Sequence, residues 1–329
     1  MKILITGGAG FIGKRLASQL LQVKSFALRG MEPQTIDKVI LFDNVEGENV
    51  PQDERVESIT GDINDAEVIG NITQNVDLVW HLAAVVSAAA EADFDLGMNV
   101  NLDGLLVLLN TLRDLKSRPR LVFASSFAVF GGNMPDVVTD FTAVTPQSSY
   151  GTQKAIGELL VADYSRRGFI DGRIVRLPTI TVRPGKPNKA ASSFASSIIR
   201  EPLAGKPVAC PVRGTTKVYI LSPRRAVESM LLAMQLSEAT ISSGRTIPLP
   251  GITVSVEEMV ATLERIGGSQ AKKLIAWEPD SEIQRIVDSW PACVDAARAR
   301  ELGFKADSDF EAIIRSHMED ELLLKTQPR

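Results

Sequence analysis

Short apolar runs rich in β-branched residues alternate with longer helical patterns through the first half of the chain. KILIT (2–6) predicts a buried strand, and FIGKRLASQLL (11–21) follows it with apolar residues at helical spacing. Strands that alternate with helices form βαβ units, so the pattern predicts an α/β fold with a doubly wound parallel sheet. The further predicted strands are 38–43, 55–60, 76–83, 120–126 and 172–178, and the further predicted helices are 94–115 and 150–167.

The turn after the first predicted strand is rich in glycine. TGGAGFIG places Gly7, Gly10 and Gly13 in a GxxGxxG spacing between a strand and a helix. Glycines there permit a tight turn, let the backbone approach a pyrophosphate closely, and let the helix pack against the strand. The helix N-terminus then offers N–H groups to the phosphates. This context favours a Rossmann-type dinucleotide site over an ordinary tight turn.

The next long strand ends in Asp43. A carboxylate at this position can accept hydrogen bonds from the adenosine ribose and would repel a 2′-phosphate, so NAD is favoured over NADP. The alternative is a surface turn residue before Asn44. Asp62 and Ile63 end the following strand, where the adenine would lie, although Asp62 could equally cap the next helix.

YGTQK places Tyr150 and Lys154 four residues apart, on one face of a predicted helix. A neighbouring ammonium and a positive nicotinamide ring would both favour the phenolate of Tyr150 over the phenol. Lowering its pKa from ~10 by about three units requires roughly 4 kcal/mol of differential stabilisation. Tyr150 would then act as a general base near neutral pH. The alternative is an ordinary helix surface, because a YxxxK pair is common by chance.

Several motifs occur in one order within about residues 1–180: TGGAGFIG, Asp43, GDI, HLAA, NVN, SSxAVFG and YxxxK. In this order they resemble the extended short-chain dehydrogenase/reductase family. The resemblance implies a catalytic set of Ser126, Tyr150 and Lys154, with Ser125 as the rival serine. It implies that the dinucleotide is bound by Gly7, Gly10, Phe11, Ile12, Gly13, Asp43, Asp62, Ile63, Leu82, Ala83, Ala84, Asn99, Tyr150, Lys154, Pro178 and Ile180.

Two departures from the family pattern concern the substrate. Most extended members act on nucleotide-sugars and show RxxNxYGP after the sixth strand, with a later run ending in HVDD. Here Thr179 replaces that asparagine, and YILSPRRAVE (219–228) replaces the later run. These replacements, together with RPGKPNKAASSFASSIIREPLAG and DSWPACVDAARARELGF, resemble the D-erythronate dehydrogenases. The resemblance implies NAD-dependent oxidation of the C2 hydroxyl of this four-carbon sugar acid.

The loop RPGKPNK carries Arg183, Lys186 and Lys189 with no acid among them. A carboxylate beside the reacting carbon needs a fixed cation, and an arginine fork bonds both of its oxygens. We expect Arg183 to provide this anchor, whereas the two lysines are equally well explained as solvated surface. Arg224 and Arg225 are either a second anchor or helix surface. The predicted substrate-binding residues are Ser87, Ser126, Tyr150, Thr179 and Arg183.

The strand–helix alternation stops after about residue 183, where proline, glycine and serine become frequent. We therefore expect residues 1–183 to form an NAD-binding Rossmann domain. A late strand near 245–250 is expected to return to this domain. Residues 184–329 are expected to form mainly a smaller, C-terminal substrate-binding lobe.

Charge and cysteine content limit the partners. A net charge of −4 without a basic block makes nucleic acid and anionic membranes poor partners. Cys210 and Cys293 match no metal or redox spacing, and two histidines exclude a histidine-rich metal site, so we expect no metal. Free thiols favour a reducing cytoplasm.

The family resemblance also implies a homodimer. The helix at 150–167 has two apolar stripes, of which one could face a partner, although a single broad buried face would look the same. The stripes are Ile156, Leu160 and Tyr164, and Ala155, Leu159 and Ala162.

Two alternative functions remain open on sequence grounds. The first is a nucleotide-sugar epimerase or dehydratase that retains its NAD and releases no NADH. The second is a non-catalytic NAD-sensing protein, against which the intact Ser126, Tyr150 and Lys154 argue.

Overall fold

A computed structural model describes residues 1–185 and 191–323. Contacts within the chain divide it into two compact units. The first unit comprises Met1–Val129, Ser148–Arg176 and Val227–Ile247, and the second comprises Phe130–Gln147, Leu177–Ala226 and the residues from Pro248 onward. Residues 227–247 belong to the first unit because they pack there; for example, the Trp80 indole Nε1 donates a hydrogen bond to the Met230 carbonyl at 3.0 Å.

Helices and strands follow one another closely along the described ranges. The strands are β1 Lys2–Thr6, β2 Ser25–Phe26, β3 Gln34–Thr35, β4 Lys38–Asp43, β5 Val56–Thr60, β6 Leu78–His81, β7 Arg120–Ser126, β8 Asp171–Leu177, β9 Thr179–Ile180, β10 Val208–Cys210, β11 Lys217–Leu221, β12 Thr246–Pro248, β13 Ile252–Ser255 and β14 Ile275–Trp277. The helices are α1 Phe11–Leu21, α2 Ala66–Thr73, α3 Ser87–Ala92, α4 Phe94–Met98, α5 Gly104–Asp114, α6 Ser149–Arg166, α7 Ser193–Leu203, α8 Pro223–Gln235, α9 Val256–Lys273, α10 Ser281–Asp288, α11 Ala297–Glu301 and α12 Phe310–His317. Asn99–Asp103 and Met318–Leu323 are π-helical, and Phe127–Val129 form a 3₁₀ turn.

The first unit is built on a seven-stranded sheet in the order β12-β8-β7-β6-β1-β4-β5. The pairings from β5 across to β7 are parallel, and in β1 Ile3 lies opposite both Val39 and Leu78. The strand order reverses at β1, which confirms the predicted doubly wound α/β fold. Parallel strands leave their carboxyl ends at one edge, so the ends of β1, β4, β6 and β7 lie along the same side of the sheet.

The core of the first unit explains why these strands are almost purely apolar. Ile3, Leu4 and Ile5 of β1 are fully buried because helices cover both faces of the sheet. Helix α5 adds Leu105, Leu108 and Leu112 to this core.

The residues of the long helix predicted at 94–115 are helical from Phe94 to Asp114, with a π-helical turn in the middle. Helix α4 ends at Met98, a π-helical turn follows at Asn99–Asp103, and α5 begins at Gly104. The Asn101 side chain in this turn bonds Val85, outside its own helix, and π-helical turns inside α-helices are frequent at functional sites.

The second unit contains a three-stranded sheet in the order β13-β11-β9 and a separate β10–β14 pair. Its core includes Ile198, Met259, Leu263 and Ile313. Helix α9 begins with a capping box between Ser255 and Glu258. Across the ranges that the structure describes, every helix falls short of the length and apolar character required to cross a membrane.

Candidate active site

The glycine-rich turn between β1 and α1 leaves no room for side chains. Gly7 has a φ of +70°, and a Cβ placed on it would lie 2.8 Å from the Ala83 nitrogen. A Cβ on Gly13 would lie 2.4 Å from the Gly7 carbonyl oxygen. Gly10 is the N-cap of α1 and supplies no side-chain cap. The result is a bare backbone cradle at a helix N-terminus, which fits a dinucleotide pyrophosphate. Phe11 and Ile12 form the first turn of α1, and both are half-buried.

Asp43 lies against this turn. One of its carboxylate oxygens accepts a hydrogen bond from the Ala9 N–H at 3.0 Å, and the other accepts from the Asn44 N–H at 2.8 Å. The half-buried carboxylate therefore holds the turn next to the end of β4, where the ribose of a dinucleotide would be recognised.

Asp62 and Ile63 follow β5. Asp62 is exposed and accepts a hydrogen bond from the Asn64 N–H at 2.9 Å, and it is Asp65 that caps α2. Ile63 is buried, and a Cβ on Gly104 would lie 2.4 Å from it. Glycine at position 104 thus lets α5 pack closely against Ile63.

Thr6 joins the ends of β1 and β6. Its backbone oxygen accepts a hydrogen bond from Leu82 N–H at 3.0 Å, and its hydroxyl lies 3.3 Å from the Ala83 nitrogen. The hydroxyl also lies 2.8 Å from His81 Nδ1. Burial, together with the charge of Lys154, lowers the pKa of His81 to about 3, so this histidine is neutral. Leu82, Ala83 and Ala84 are half-buried beside the Gly7 turn.

Tyr150 and Lys154 lie in the first two turns of α6. The Lys154 ammonium donates a hydrogen bond to the Ala124 carbonyl of β7 at 2.9 Å and lies 5.7 Å from the centre of the Tyr150 ring. Burial lowers the pKa of Lys154 to about 8, and the carboxylate of Glu158 opposes this effect. Lys154 is therefore still largely protonated at neutral pH, and its charge favours the phenolate of the half-buried Tyr150.

The two serines at the end of β7 have different surroundings. Ser125 is 1% exposed and donates a hydrogen bond to Glu158 at 2.5 Å. Ser126 is half-buried, and its hydroxyl accepts a hydrogen bond from the Ala128 N–H at 3.1 Å. Because successive side chains of a strand point to opposite faces, only one of the two can be presented to a substrate. The partial exposure of Ser126 favours it over Ser125.

The two asparagines of the NVN motif have different surroundings. Asn99 is exposed, whereas Asn101 is 3% exposed. The Asn101 side chain accepts a hydrogen bond from Val85 N–H at 2.8 Å and donates to the Val85 carbonyl at 3.1 Å. It also donates to the Gln153 side chain at 2.7 Å. Sequence reasoning singled out Asn99 and missed Asn101, although Asn101 precedes the buried Leu105 by four residues and so shares its apolar face.

The remaining predicted residues lie in the second unit, apart from Ser87, which begins α3 of the first unit and is half-buried. Thr179 and Ile180 form β9, paired with β11, and Pro178 just before them is buried. Arg183 is half-buried, and its backbone N–H donates to the Ser196 hydroxyl at 3.0 Å. Lys186 and Lys189 lie outside the described residues.

Arg224 has acidic partners. Its guanidinium bonds Glu319 at 2.9 Å and Asp320 at 2.6 Å, and these contacts raise its pKa above the usual value. A guanidinium engaged by two carboxylates has fewer N–H donors left for a third.

Comparisons with known proteins agree with this geometry. Residues 3–245 match the model of the NAD dependent epimerase/dehydratase family. The chain is 50% identical to a D-erythronate dehydrogenase of Cupriavidus necator, over 99% of this chain and 100% of that protein. It is 44% identical to a D-erythronate dehydrogenase of Haemophilus influenzae, over 97% and 99% respectively.

One solved structure is also similar to this chain in both fold and sequence. The crystal structure of the nucleoside-diphosphate-sugar epimerase from Agrobacterium tumefaciens superposes with a TM-score of 0.91. That protein is 41% identical, over 98% of this chain and 94% of its own. The family predicted from the order of motifs is confirmed, and the bare glycine cradle suits the family's cofactor, NAD. The chain therefore belongs to the NAD dependent epimerase/dehydratase family.

Proposed function

We propose that this protein is an NAD-dependent dehydrogenase that oxidises the C2 hydroxyl of D-erythronate to give 2-oxo-D-erythronate. The observation that carries the proposal is Lys154 of α6, which is buried against the strand that ends in Ser126 and lies beside Tyr150. This set occurs in a chain with two relatives of nearly equal length, 50% and 44% identical, that both carry the name D-erythronate dehydrogenase.

The chemistry requires removal of a proton and a hydride from one carbon. Tyr150, as phenolate, takes the proton of the C2 hydroxyl, and the Lys154 ammonium stabilises that phenolate. The Ser126 hydroxyl donates a hydrogen bond to the substrate oxygen as it becomes a carbonyl. NAD, when bound, supplies the acceptor for the C2 hydride.

Most cofactor residues are proposed from the first unit's geometry together with the family resemblance, and Pro178 and Ile180 are proposed from the resemblance alone. Gly7, Gly10 and Gly13 form the pyrophosphate cradle, and Asp43 receives the ribose hydroxyls. Asn101 holds the loop after β6 in place through its two bonds to Val85. The proposed contacts further include Phe11, Ile12, Asp62, Ile63, Leu82, Ala83, Ala84, Pro178 and Ile180, while Asn99 is kept only as a secondary candidate.

The substrate contacts are proposed to be Ser87, Ser126, Tyr150, Thr179 and Arg183. Arg183 is assigned to the substrate carboxylate. We therefore expect Arg183→Met to raise the KM for D-erythronate by roughly 10- to 100-fold, because the variant loses a charge-assisted hydrogen bond that contributes about 1.5–3 kcal/mol. Steady-state kinetics measure this. The matched control is Arg224→Met, whose guanidinium already bonds Glu319 and Asp320. An elevated KM in the Arg224 variant alone would transfer the role to Arg224.

The function itself is tested by mixing the purified protein and NAD with four-carbon sugar acids and, separately, with UDP-sugars. NADH formation with D-erythronate supports the proposal. The similarity to a protein named as a nucleoside-diphosphate-sugar epimerase makes UDP-sugar conversion without NADH release the main competing outcome. That outcome would refute the dehydrogenase, and NAD binding without turnover of either class would favour a sensor.

We also propose a homodimer that pairs through α5 and α6. The supporting observation is Leu159, which is 70% exposed on α6, whereas Leu160, Ala162 and Tyr164 pack against the core. Light scattering should give a dimer mass for the native protein and a monomer mass for Leu159→Lys, because a lysine at a symmetric contact meets its own copy. A native monomer would refute this assignment.

A cytoplasmic location is proposed from the cysteines. Cys293 is an exposed free thiol and Cys210 is a buried one, a state that persists in a reducing compartment. Cell fractionation tests this, and recovery outside the cytoplasm would contradict it.

A further inference from the structure

A buried carboxylate lies one helical turn beyond Lys154. Glu158 is 5% exposed, and its Oε1 accepts hydrogen bonds from the Ser125 hydroxyl at 2.5 Å and from Arg176 Nε at 2.9 Å. Its Oε2 accepts a second bond from the Arg176 guanidinium at 2.6 Å. The pair is therefore bidentate, with Ser125 as a third partner.

These bonds converge on the same strand end as the reacting groups. Ser125 follows Ala124, whose carbonyl accepts the Lys154 ammonium, and precedes Ser126. Lys154 and Glu158, four residues apart on one face of α6, thus hold consecutive residues of β7. Arg176 adds a link to the adjacent strand β8.

A contribution to folding stability does not by itself explain why the Glu158–Arg176 ion pair is buried. A buried ion pair gains little over a well-packed apolar pair, because the desolvation of two charges offsets their attraction. Its position beside Lys154 suggests a role in the reaction instead.

We propose that Glu158, held by Arg176, is a positioning residue that keeps Lys154 charged beside Tyr150 and fixes the strand end that presents Ser126. The inference rests on the proposed function, because it assigns Glu158 to the same reaction.

The charges around Lys154 determine how its pKa is expected to change when the Glu158 charge is removed. The neutral His81 of β6 lies near Lys154. Tyr150 and Glu158 of its own helix also lie near it. Arg176 of β8 bonds Glu158. Removing the Glu158 charge leaves two uncompensated cations. Without the carboxylate that raises its pKa, Lys154 loses its proton at a lower pH and stabilises the Tyr150 phenolate less.

The test is Glu158→Gln, which keeps the shape and an acceptor oxygen but removes the charge. With NAD present and no substrate, the phenolate absorbance of Tyr150 is titrated. The chain has three tyrosines, so subtracting the curve of Tyr150→Phe in the same background isolates Tyr150. We expect its midpoint to rise by about one pH unit, with kcat at pH 7 falling roughly fivefold, since a midpoint that moves from about 7 to about 8 lowers the phenolate fraction at pH 7 from about one half to about one eleventh.

The matched control is Asp171→Asn, at the opposite end of β8. Asp171 is also a buried carboxylate, and it bonds Arg120 and Arg173. This variant is expected to lose thermal stability without moving the Tyr150 midpoint. An unchanged midpoint in Glu158→Gln, or an equal shift in Asp171→Asn, would overturn the inference.

If Glu158→Gln fails to fold, Ser125→Ala carries the test, since it removes one hydroxyl and leaves both charges paired. A roughly fivefold loss of kcat, as expected for one lost hydrogen bond of about 1 kcal/mol, supports the inference, whereas a native kcat, or a loss of about 100-fold or more as expected for a catalytic hydroxyl, overturns it. The substrate-free titration separates the two proposals: a native protein that fails to oxidise D-erythronate refutes the proposed function, whereas the midpoint shift still decides the role of Glu158.

Discussion

Tyr150→Phe is expected to lower kcat by about 10³-fold while NAD affinity stays within several-fold of the native value. The substitution removes a single hydroxyl and keeps the ring beside the Lys154 ammonium, so packing and charge are retained. The reaction loses its general base, a contribution of 10²–10⁴-fold in typical enzymes. NADH formation measures kcat, and equilibrium titration measures NAD binding.

Tyr164→Phe is the matched control on the same helix. Tyr164 donates a hydrogen bond to the Asn110 side chain at 2.9 Å, so its loss costs about 1 kcal/mol of stability and leaves kcat unchanged. Retained turnover in Tyr150→Phe would refute the assignment of the base. Comparable losses in both variants would point to damage to α6 itself.

Gly7→Ala is expected to weaken NAD binding by about 100-fold, equivalent to ~2.7 kcal/mol. The φ of +70° costs an alanine roughly 1–2 kcal/mol, and its Cβ would lie 2.8 Å from the Ala83 nitrogen and the Leu82 carbonyl carbon. Either the turn or the end of β6 must then move, and both contribute to the proposed cofactor site. Titration of NAD binding measures the effect.

Gly168→Ala separates backbone strain from site damage. Gly168 has a φ of +76°, but no atom lies within 4 Å of the Cβ position. The φ strain should lower the stability of Gly168→Ala about as much as it lowers that of Gly7→Ala, whereas NAD binding by Gly168→Ala should be normal. If Gly7→Ala bound NAD with native affinity, the assignment of this turn to the cofactor site would be wrong.

Local patterns in the sequence were sufficient for the fold and for part of the site. The strand–helix alternation leaves few arrangements other than a doubly wound parallel sheet, because apolar strands must be covered on both faces. Tyr150 and Lys154 are four residues apart, and the spacing of a helix alone places them on one face. The glycine spacing similarly predicts a cradle, since only glycine tolerates that turn.

Choices between neighbouring residues needed the tertiary structure. The spacing of Asn101 from Leu105 indicates a buried position, but only the packing of the π-helical turn shows that Asn101, and not Asn99, bonds Val85. For the two serines at the end of β7, the family resemblance already favoured Ser126, and the structure adds that Ser125 bonds Glu158.

Long-range pairing could not be predicted from the sequence at all. Glu158 and Arg176 are 18 residues apart, on a helix and a strand, and no local period relates them. Their contact depends on strand order, because β8 lies beside β7 and α6 packs across the latter. The sequence by itself therefore determined the fold class and the placement of the proposed catalytic pair, Tyr150 and Lys154, both of which depend on local period. Only the tertiary structure determined which groups hold that pair in place, because those contacts join elements that are distant along the chain.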